Sequence, residues 1–234
     1  MRKLVVPGDS QKTLQYCVEH FVRIAQESIQ DHGAFYVALS GGSTPKAIFQ
    51  HLCGPPYLEQ IDWSKVHLFW SDERAVAPTD PDSNFHMAME AGLKNMPIPQ
   101  EHIHRMVAES HIEENALAYE NTILKNRPFD LVMLGMGDDG HTASLFPHTE
   151  GLKVKDRLVI ANYIPEKNTW RMTFTFPCIN NASHIAVYIL GAGKKQILKQ
   201  VLAAADDPSS YPVLQVGTPD RPSLWIADQA ASPT

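Results

Sequence analysis

Asp139 and His141, two residues apart in LGMGDDGHTASLFPHT (134–149), form the most chemically suggestive spacing in this chain. An imidazole with an unperturbed pKa of about 6.5 can take a proton from water at neutral pH. A carboxylate two residues earlier can hold the ring in one tautomer, the logic of hydrolase triads without a serine. Gly135, Gly137 and Gly140 also spell G-x-G-x-x-G after an apolar run. A dinucleotide reading of that pattern is disfavoured. The motif lies in mid-chain, Asp138 and Asp139 would repel a pyrophosphate, and Pro147 limits the helix that should follow. The glycines, Gly137 among them, are better read as shaping a loop that delivers His141.

A second group of residues suits an anion. In SGGST (40–44), Gly41 and Gly42 let the backbone turn tightly, and Ser43 follows at the start of a helix. Consecutive N–H groups and a helix N-terminus make a phosphate cradle, although G-x-x-x-x-G-K-[ST] is absent. Lys194 and Lys195 follow Gly191 and Gly193, an unfavourable place for cations on helix-dipole grounds and so a candidate phosphate contact. Arg171 sits in a β-rich apolar run, as either a surface strand residue or a phosphate fork. Asp72, Glu73 and Arg74 form a charged loop after VHLFW. There the acidic pair offers a base and the arginine a partner for a developing oxyanion, with a solvated charge cluster as the bland alternative. His102-x-His104 lies in a proline-bounded loop without an acidic partner, and no H-E-x-x-H occurs, so no metal is expected. No G-x-S-x-G elbow is present.

These residues need elements to hold them. Apolar runs alternate with amphipathic stretches. LVV (4–6), AFYVALS (34–40), VHLFW (66–70), FDLVMLG (129–135), LVIANYI (158–164), WRMTFTF (170–176), HIAVYILG (184–191) and LWIAD (224–228) read as strands, the last closing the sheet. Helices are expected over 10–31, ended by Gly33, and after Thr44 as N-cap with Pro45 at the first helical position. Others are expected at about 83–91, from a Ser110/Glu113 capping box to about Lys125, and over 194–205. The stretch 71–84 reads as a polar loop. Strand–helix alternation predicts an α/β, three-layer αβα, Rossmann-like domain over 1–234 with a mostly parallel sheet. Ligands of such sheets sit at the carboxyl ends of the strands. SGGSTP, SDER, GMGDDGH and GAGKK all follow strands, so all four are expected on one rim.

Composition bounds the partners. The 234 residues carry a formal net charge of -6, which disfavours nucleic acid but not a local anion pocket. Hydrophobic residues make up 44%, enough for a large core. Cys17, Cys53 and Cys178 are odd in number and far apart, which suggests reduced thiols. The opening MRKLVVPGDS has too short an apolar stretch for a secretory signal, and no run suits a membrane span. A cytoplasmic location is therefore expected, with no membrane partner.

ALSGGSTP (38–45), FWSDERAV (69–76), DSNF (82–85), GMGDDGHTASLFP (135–147) and RMTFTFP (171–177) together resemble the 6-phosphogluconolactonase family, in that family's order. The resemblance implies the sugar-phosphate isomerase and deaminase fold. It implies hydrolysis of 6-phospho-D-glucono-1,5-lactone to 6-phosphogluconate in the pentose phosphate pathway, without a cofactor. By similarity His141 is the base and Asp139 its partner. Gly42, Ser43, Arg171 and Lys194 contact the phosphate, and Arg74 lines a pocket that also holds Gly41, Asp72 and Gly137. Met172 and Phe174 stand where the family usually has aliphatic residues, a conservative departure. Glucosamine-6-phosphate deaminases share the GGSTP turn and are the rival reading. They carry a glutamate shortly after the D-G-H histidine where this chain has SLFP (144–147), and D-E-Y where it has Asp72-Glu73-Arg74. A non-catalytic sugar-phosphate-binding module is the third. A monomer or weak homodimer is expected.

Overall fold

The computed structural model describes residues 1–126, 128–204 and 207–233. A six-stranded sheet carries the fold. Its strands are β1 (Arg2–Val5), β2 (Phe35–Leu39), β3 (Val66–Trp70), β5 (Leu131–Gly135), β8 (His184–Ile189) and β9 (Ser223–Ala227), numbered in chain order. They lie in the order β1-β9-β8-β5-β2-β3, and every neighbour is parallel. β9 is thus an interior strand, and β1 rather than LWIAD forms that edge. A parallel sheet covered on both faces needs apolar residues on both sides of each strand. Leu131, Val132, Met133 and Leu134 are accordingly all fully buried.

The helices are α1 (Ser10–His32), α2 (Ser43–Leu52), α3 (Asn84–Glu90), α4 (Ile112–Leu124), α5 (Phe176–Asn180) and α6 (Lys195–Ala203). Asp9 caps α1 by accepting from the Lys12 N–H, and Gly33 at φ 84° ends it with its N–H on the Ile29 carbonyl. Cys17, Val18, Phe21, Ile24 and Ala25 form the buried stripe of α1, and Phe21 meets Phe35 edge-on at 5.3 Å. α2 begins two residues earlier than Thr44 capping would place it. Gly42 at φ 104° is the N-cap, so Pro45 falls at the third helical position, where no intrahelical N–H is required. The Ser110/Glu113 capping box does not form either. His111 stands at the N-cap in the left-handed region, φ 42°, with no side-chain cap bond.

Two stretches depart from expectation. Asp72–Arg74 of the supposed polar loop is a strand, β4, and β6 (Val159–Ile164) and β7 (Thr169–Phe174) pair with it outside the main sheet. These three form an antiparallel sheet in the order β4-β7-β6. The WRMTFTF run stops being a strand at Phe174. Thr175 then accepts from the Cys178 N–H and starts α5, with Pro177 in its first turn. The expected helix 194–205 runs from Lys195 to Ala203, and position 205 lies outside the described residues.

The strand order reverses between β2 and β5. The chain steps outward from β2 to β3 in one direction and from β5 through β8 to β9 in the other. β2 and β5 pair at only two positions, Val37–Leu131 and Ala38–Val132. The loops after these strands, SGGST and GMGDDGH, therefore leave on either side of a switch point, where open α/β sheets form their ligand crevice.

His102 and His104 stack with β3. His67 lies 3.7 Å from His102 and 4.5 Å from Tyr36 by ring centroids, and His104 lies 4.3 Å from Phe69. Burial, then the neighbouring imidazoles, lowers His67 to about 4, and burial chiefly, with Arg23 and His184, lowers His20 to about 4. Above pH 6.5 these rings are neutral folded or unfolded, whereas between pH 6.5 and 4 only the unfolded chain takes up their protons. Stability is therefore lost as pH falls through that window, by up to about 2 kcal/mol at pH 5 for His20 and less for the more exposed His67. Urea unfolding at pH 7.5 and 5.0 should show this loss, and His67→Phe, which keeps a flat ring in the stack, should lose less than the parent chain.

Candidate active site

A cavity of about 340 Å³ opens at the switch point. It is lined from all four expected loops: Gly41, Gly42 and Ser43 after β2, Asp72 and Arg74 after β3, Gly137 and His141 after β5, and Lys194 after β8. Residues separated by some 150 positions thus share one rim because parallel strands deliver their carboxyl ends to one side.

The loop after β5 is built around its glycines. The Gly137 N–H donates to the His141 carbonyl, and Gly140 at φ 79° donates to the Gly137 carbonyl. Val213 N–H donates to the Gly140 carbonyl, and the Tyr211 ring packs where a Gly140 side chain would stand. Thr142 Oγ1 donates to the Gly135 carbonyl. Within this frame His141 Nδ1 lies 2.5 Å from Asp139 Oδ1, which also accepts the His141 backbone N–H at 3.0 Å. Since a carboxylate only accepts, the ring proton sits on Nδ1 and leaves Nε2 as the basic nitrogen. Burial pushes Asp139 up. The hydrogen bond from the imidazole, its charge and the backbone N–H outweigh that and hold the carboxyl below its usual range. Asp139 itself is not a lining residue; it meets the cavity through His141.

The anion side follows from the Gly-Gly turn. Gly42 offers no side chain to cap α2, so first-turn N–H groups of the helix are left without intrahelical partners beside the cavity. Gly41 is required by close approach: a Cβ there would come within 2.0 Å of Asn84 Oδ1. Lys194 Nζ binds Asp138 Oδ1 at 2.6 Å. Lys195 opens α6 and does not line the cavity.

Arg171 is not a lining residue either, but β4 and β7 place it directly opposite Arg74. Burial and then the Arg74 charge lower its pKa, while Asp72, Glu73 and Asp82 oppose them. Arg74 donates to the Asp82 carbonyl at 2.6 Å, and the Nε atoms of both arginines are buried without a partner. Two adjacent guanidiniums with open donors suit an anion bound between or beside them.

Of the acidic pair, Glu73 is spent on structure. It accepts from Ser83 Oγ and from the N–H groups of Arg74, Asn84 and Phe85, so it caps α3 and stays out of the cavity. Asp72 does line it, with Oδ2 accepting from Ser144 Oγ at 2.7 Å and Oδ1 from Asn84 Nδ2 at 3.3 Å. Asn84, Asp138, Tyr188 and Leu190 also line the cavity. No spacing rule marks them, although Asn84 belongs to the DSNF stretch.

Fold and site define an α/β protein in which an aspartate-paired imidazole and a Gly-Gly-Ser turn at a helix N-terminus line one cavity at a switch point. The family model described as glucosamine-6-phosphate isomerases/6-phosphogluconolactonase matches residues 8–225, and the chain belongs to that family. A 6-phosphogluconolactonase of Chlamydia muridarum is 40% identical over 96% of this chain and 87% of its own length. One from Nostoc sp. is 41% identical over 87% of this chain and 86% of its own. The crystal structure of the 6-phosphogluconolactonase from Thermotoga maritima superposes with a TM-score of 0.84 at 27% identity, covering 98% of this chain and all of that one. A monomeric glucosamine-6-phosphate deaminase shares the fold at a TM-score of 0.85 and 15% identity, over 99% of this chain and 98% of that one.

The close packing around the imidazole yields a prediction. A Cβ on Gly137 would lie 2.0 Å from His141 Nδ1 and 2.1 Å from Cε1. Gly137→Ala should therefore displace the ring from Asp139 and cost about 1–3 kcal/mol. Urea unfolding measures the loss, and a crystal structure of the variant should show the Nδ1–Oδ1 contact broken.

Proposed function

We propose that the chain hydrolyses 6-phospho-D-glucono-1,5-lactone to 6-phosphogluconate, the oxidative pentose phosphate step, with His141 as general base on water. The observation that carries this is the shared cavity: an imidazole whose tautomer is set by Asp139 faces a Gly-Gly-Ser turn suited to phosphate. Relatives about 40% identical over most of the chain and named 6-phosphogluconolactonase support the same reaction.

A lactone carbonyl is already electrophilic, so water needs only modest activation and no covalent intermediate. His141 Nε2 takes the proton as water attacks C1, while Asp139 stabilises the imidazolium that forms. Backbone N–H groups of the glycine loops, with Arg74, stabilise the tetrahedral oxyanion. The imidazolium then returns its proton to the departing ring oxygen. Gly42, Ser43, Arg171 and Lys194 hold the phosphate far from C1 and fix the ring against His141. For Lys194 this means exchanging its Asp138 partner for phosphate. Nothing in this scheme requires a cofactor.

The deaminase reading is weaker on an observation at this site. The residues after His141 in this chain are Thr142, Ala143, Ser144, Leu145 and Phe146, with Leu145 and Phe146 buried, and no carboxylate is present to take the place of the deaminases' glutamate. We further read 1–234 as one domain acting in the cytoplasm as a monomer or weak homodimer. No helix among the described residues is long and apolar enough to cross a membrane.

Lactone hydrolysis above the spontaneous rate, followed spectrophotometrically, is the deciding measurement; ammonia release from glucosamine 6-phosphate would instead support a deaminase, and neither activity a binding module. His141→Ala should lower kcat about 10²–10⁴-fold while substrate still binds. Arg171→Ala should raise KM for the phosphorylated lactone about 10- to 100-fold and leave unphosphorylated gluconolactone unaffected.

A further inference from the structure

Phe146 is 4% exposed and does not line the cavity, yet its ring lies flat on the His141 imidazole. The centroids are 3.9 Å apart and the planes differ by 17°. The chain is folded back for this contact. Thr142 and Leu145 form a bridge, Ala143 takes φ 46°, and Ser144 N–H donates to Thr173 Oγ1 on β7. Lys167, from the turn between β6 and β7, places Nζ 5.7 Å from the centroid of the same phenyl ring. The second sheet thus anchors Phe146 from two directions.

A single hydrogen bond at Nδ1 fixes one edge of an imidazole but leaves its plane free to tilt about that bond. Asp139 supplies the edge. The Gly137 backbone lies so near Nδ1 and Cε1 that no Cβ fits, and Phe146 covers a ring face. We propose that Phe146 is a positioning residue for the general base. It fixes the plane of the His141 ring so that Nε2 points at the attacking water, while Phe146 itself touches neither substrate nor water. This rests on the reading of His141 as the base. Effective general-base catalysis requires near-attack geometry, and misplacement by about 1 Å can cost about 100-fold.

The test compares Phe146→Leu, which keeps apolar bulk without a flat face, with Phe146→Tyr, which keeps the face. Circular dichroism and urea unfolding establish that each variant is folded. Phe146→Leu should lower kcat about 10- to 100-fold with KM within about twofold of the parent, and Phe146→Tyr should restore most of kcat. An unchanged kcat in Phe146→Leu, a parallel change in kcat and KM, or equal damage in the folded Tyr variant overturns the proposal. NMR of the parent chain supplies a readout independent of variant folding. The His141 ring protons, assigned by their loss in His141→Ala, should resonate upfield of an unstacked imidazole through the Phe146 ring current, and unshifted signals overturn the proposal. His141→Ala separates the two readings. If it keeps kcat, the general-base assignment fails; if it loses kcat while Phe146→Leu does not, only the positioning role fails.

Discussion

The contact between Asp139 and His141 depends on the two glycines beside it, Gly137 and Gly140. Residues two apart in a strand or helix do not turn their side chains toward each other at 2.5 Å. Here Gly140 turns at φ 79° and Gly137 leaves room where a Cβ would strike the ring. The consequence is chemical: with the proton held on Nδ1, the opposite nitrogen carries the free lone pair. The loop does not support itself. Val213 and Tyr211, from a segment some 70 residues later, brace Gly140, and β7 holds the residues that follow His141. The histidine's geometry is thus set by contacts remote in sequence, although its chemistry is written locally.

The cations in and beside the cavity are organised by charge. Arg74 and Arg171 face each other across β4 and β7, and burial adds to their mutual repulsion. Asp72, Glu73 and Asp82 offset part of this repulsion, and a bound anion would offset more. Lys194 is in the opposite condition, since it already has a carboxylate partner in Asp138. In the proposed function phosphate would meet two kinds of cation, an arginine pair with open Nε donors and a lysine that must release Asp138. Ser43 and the first turn of α2 line the same cavity with uncharged donors, which suit an anion without adding net charge.

Much of this was readable from the residues alone, for identifiable reasons. Five strands of the main sheet are mostly apolar runs, as buried parallel strands must be, while the edge strand β1 (RKLV) carries two charges. The four strand-end loops converge as their order along the chain requires, and Asp139 with His141 is a local spacing. What was not legible depends on partners far away. Asp72–Arg74 is charged and short, and it is a strand only because β7 pairs with it. Phe176 continues an apolar run, so the switch from β7 to α5 is signalled only by Thr175 and Pro177. His111 occupies the cap that Ser110 was expected to fill. Asn84 reaches the cavity because Glu73 fastens the start of α3 beneath it, a contact across more than ten residues with no periodic signature.

The fold does not by itself choose between hydrolysis and deamination, since a deaminase superposes on this chain as well as the lactonases do. The choice lies in the few residues after His141. A deaminase must protonate an amine and move protons between carbons, work that calls for further acidic groups near the histidine. In this chain the side chain that turns back onto the imidazole is Phe146, which can hold a ring but cannot carry a proton. Asp72 and Asp138 are the carboxylates on the cavity wall; Ser144 and Asn84 already occupy the oxygens of Asp72, and Lys194 pairs with Asp138. An imidazole with one free nitrogen, a turn suited to an anion and an apolar backing to the ring match what the proposed attack by water on an activated carbonyl needs. That economy, more than the shape of the sheet, is the physical argument for the lactonase.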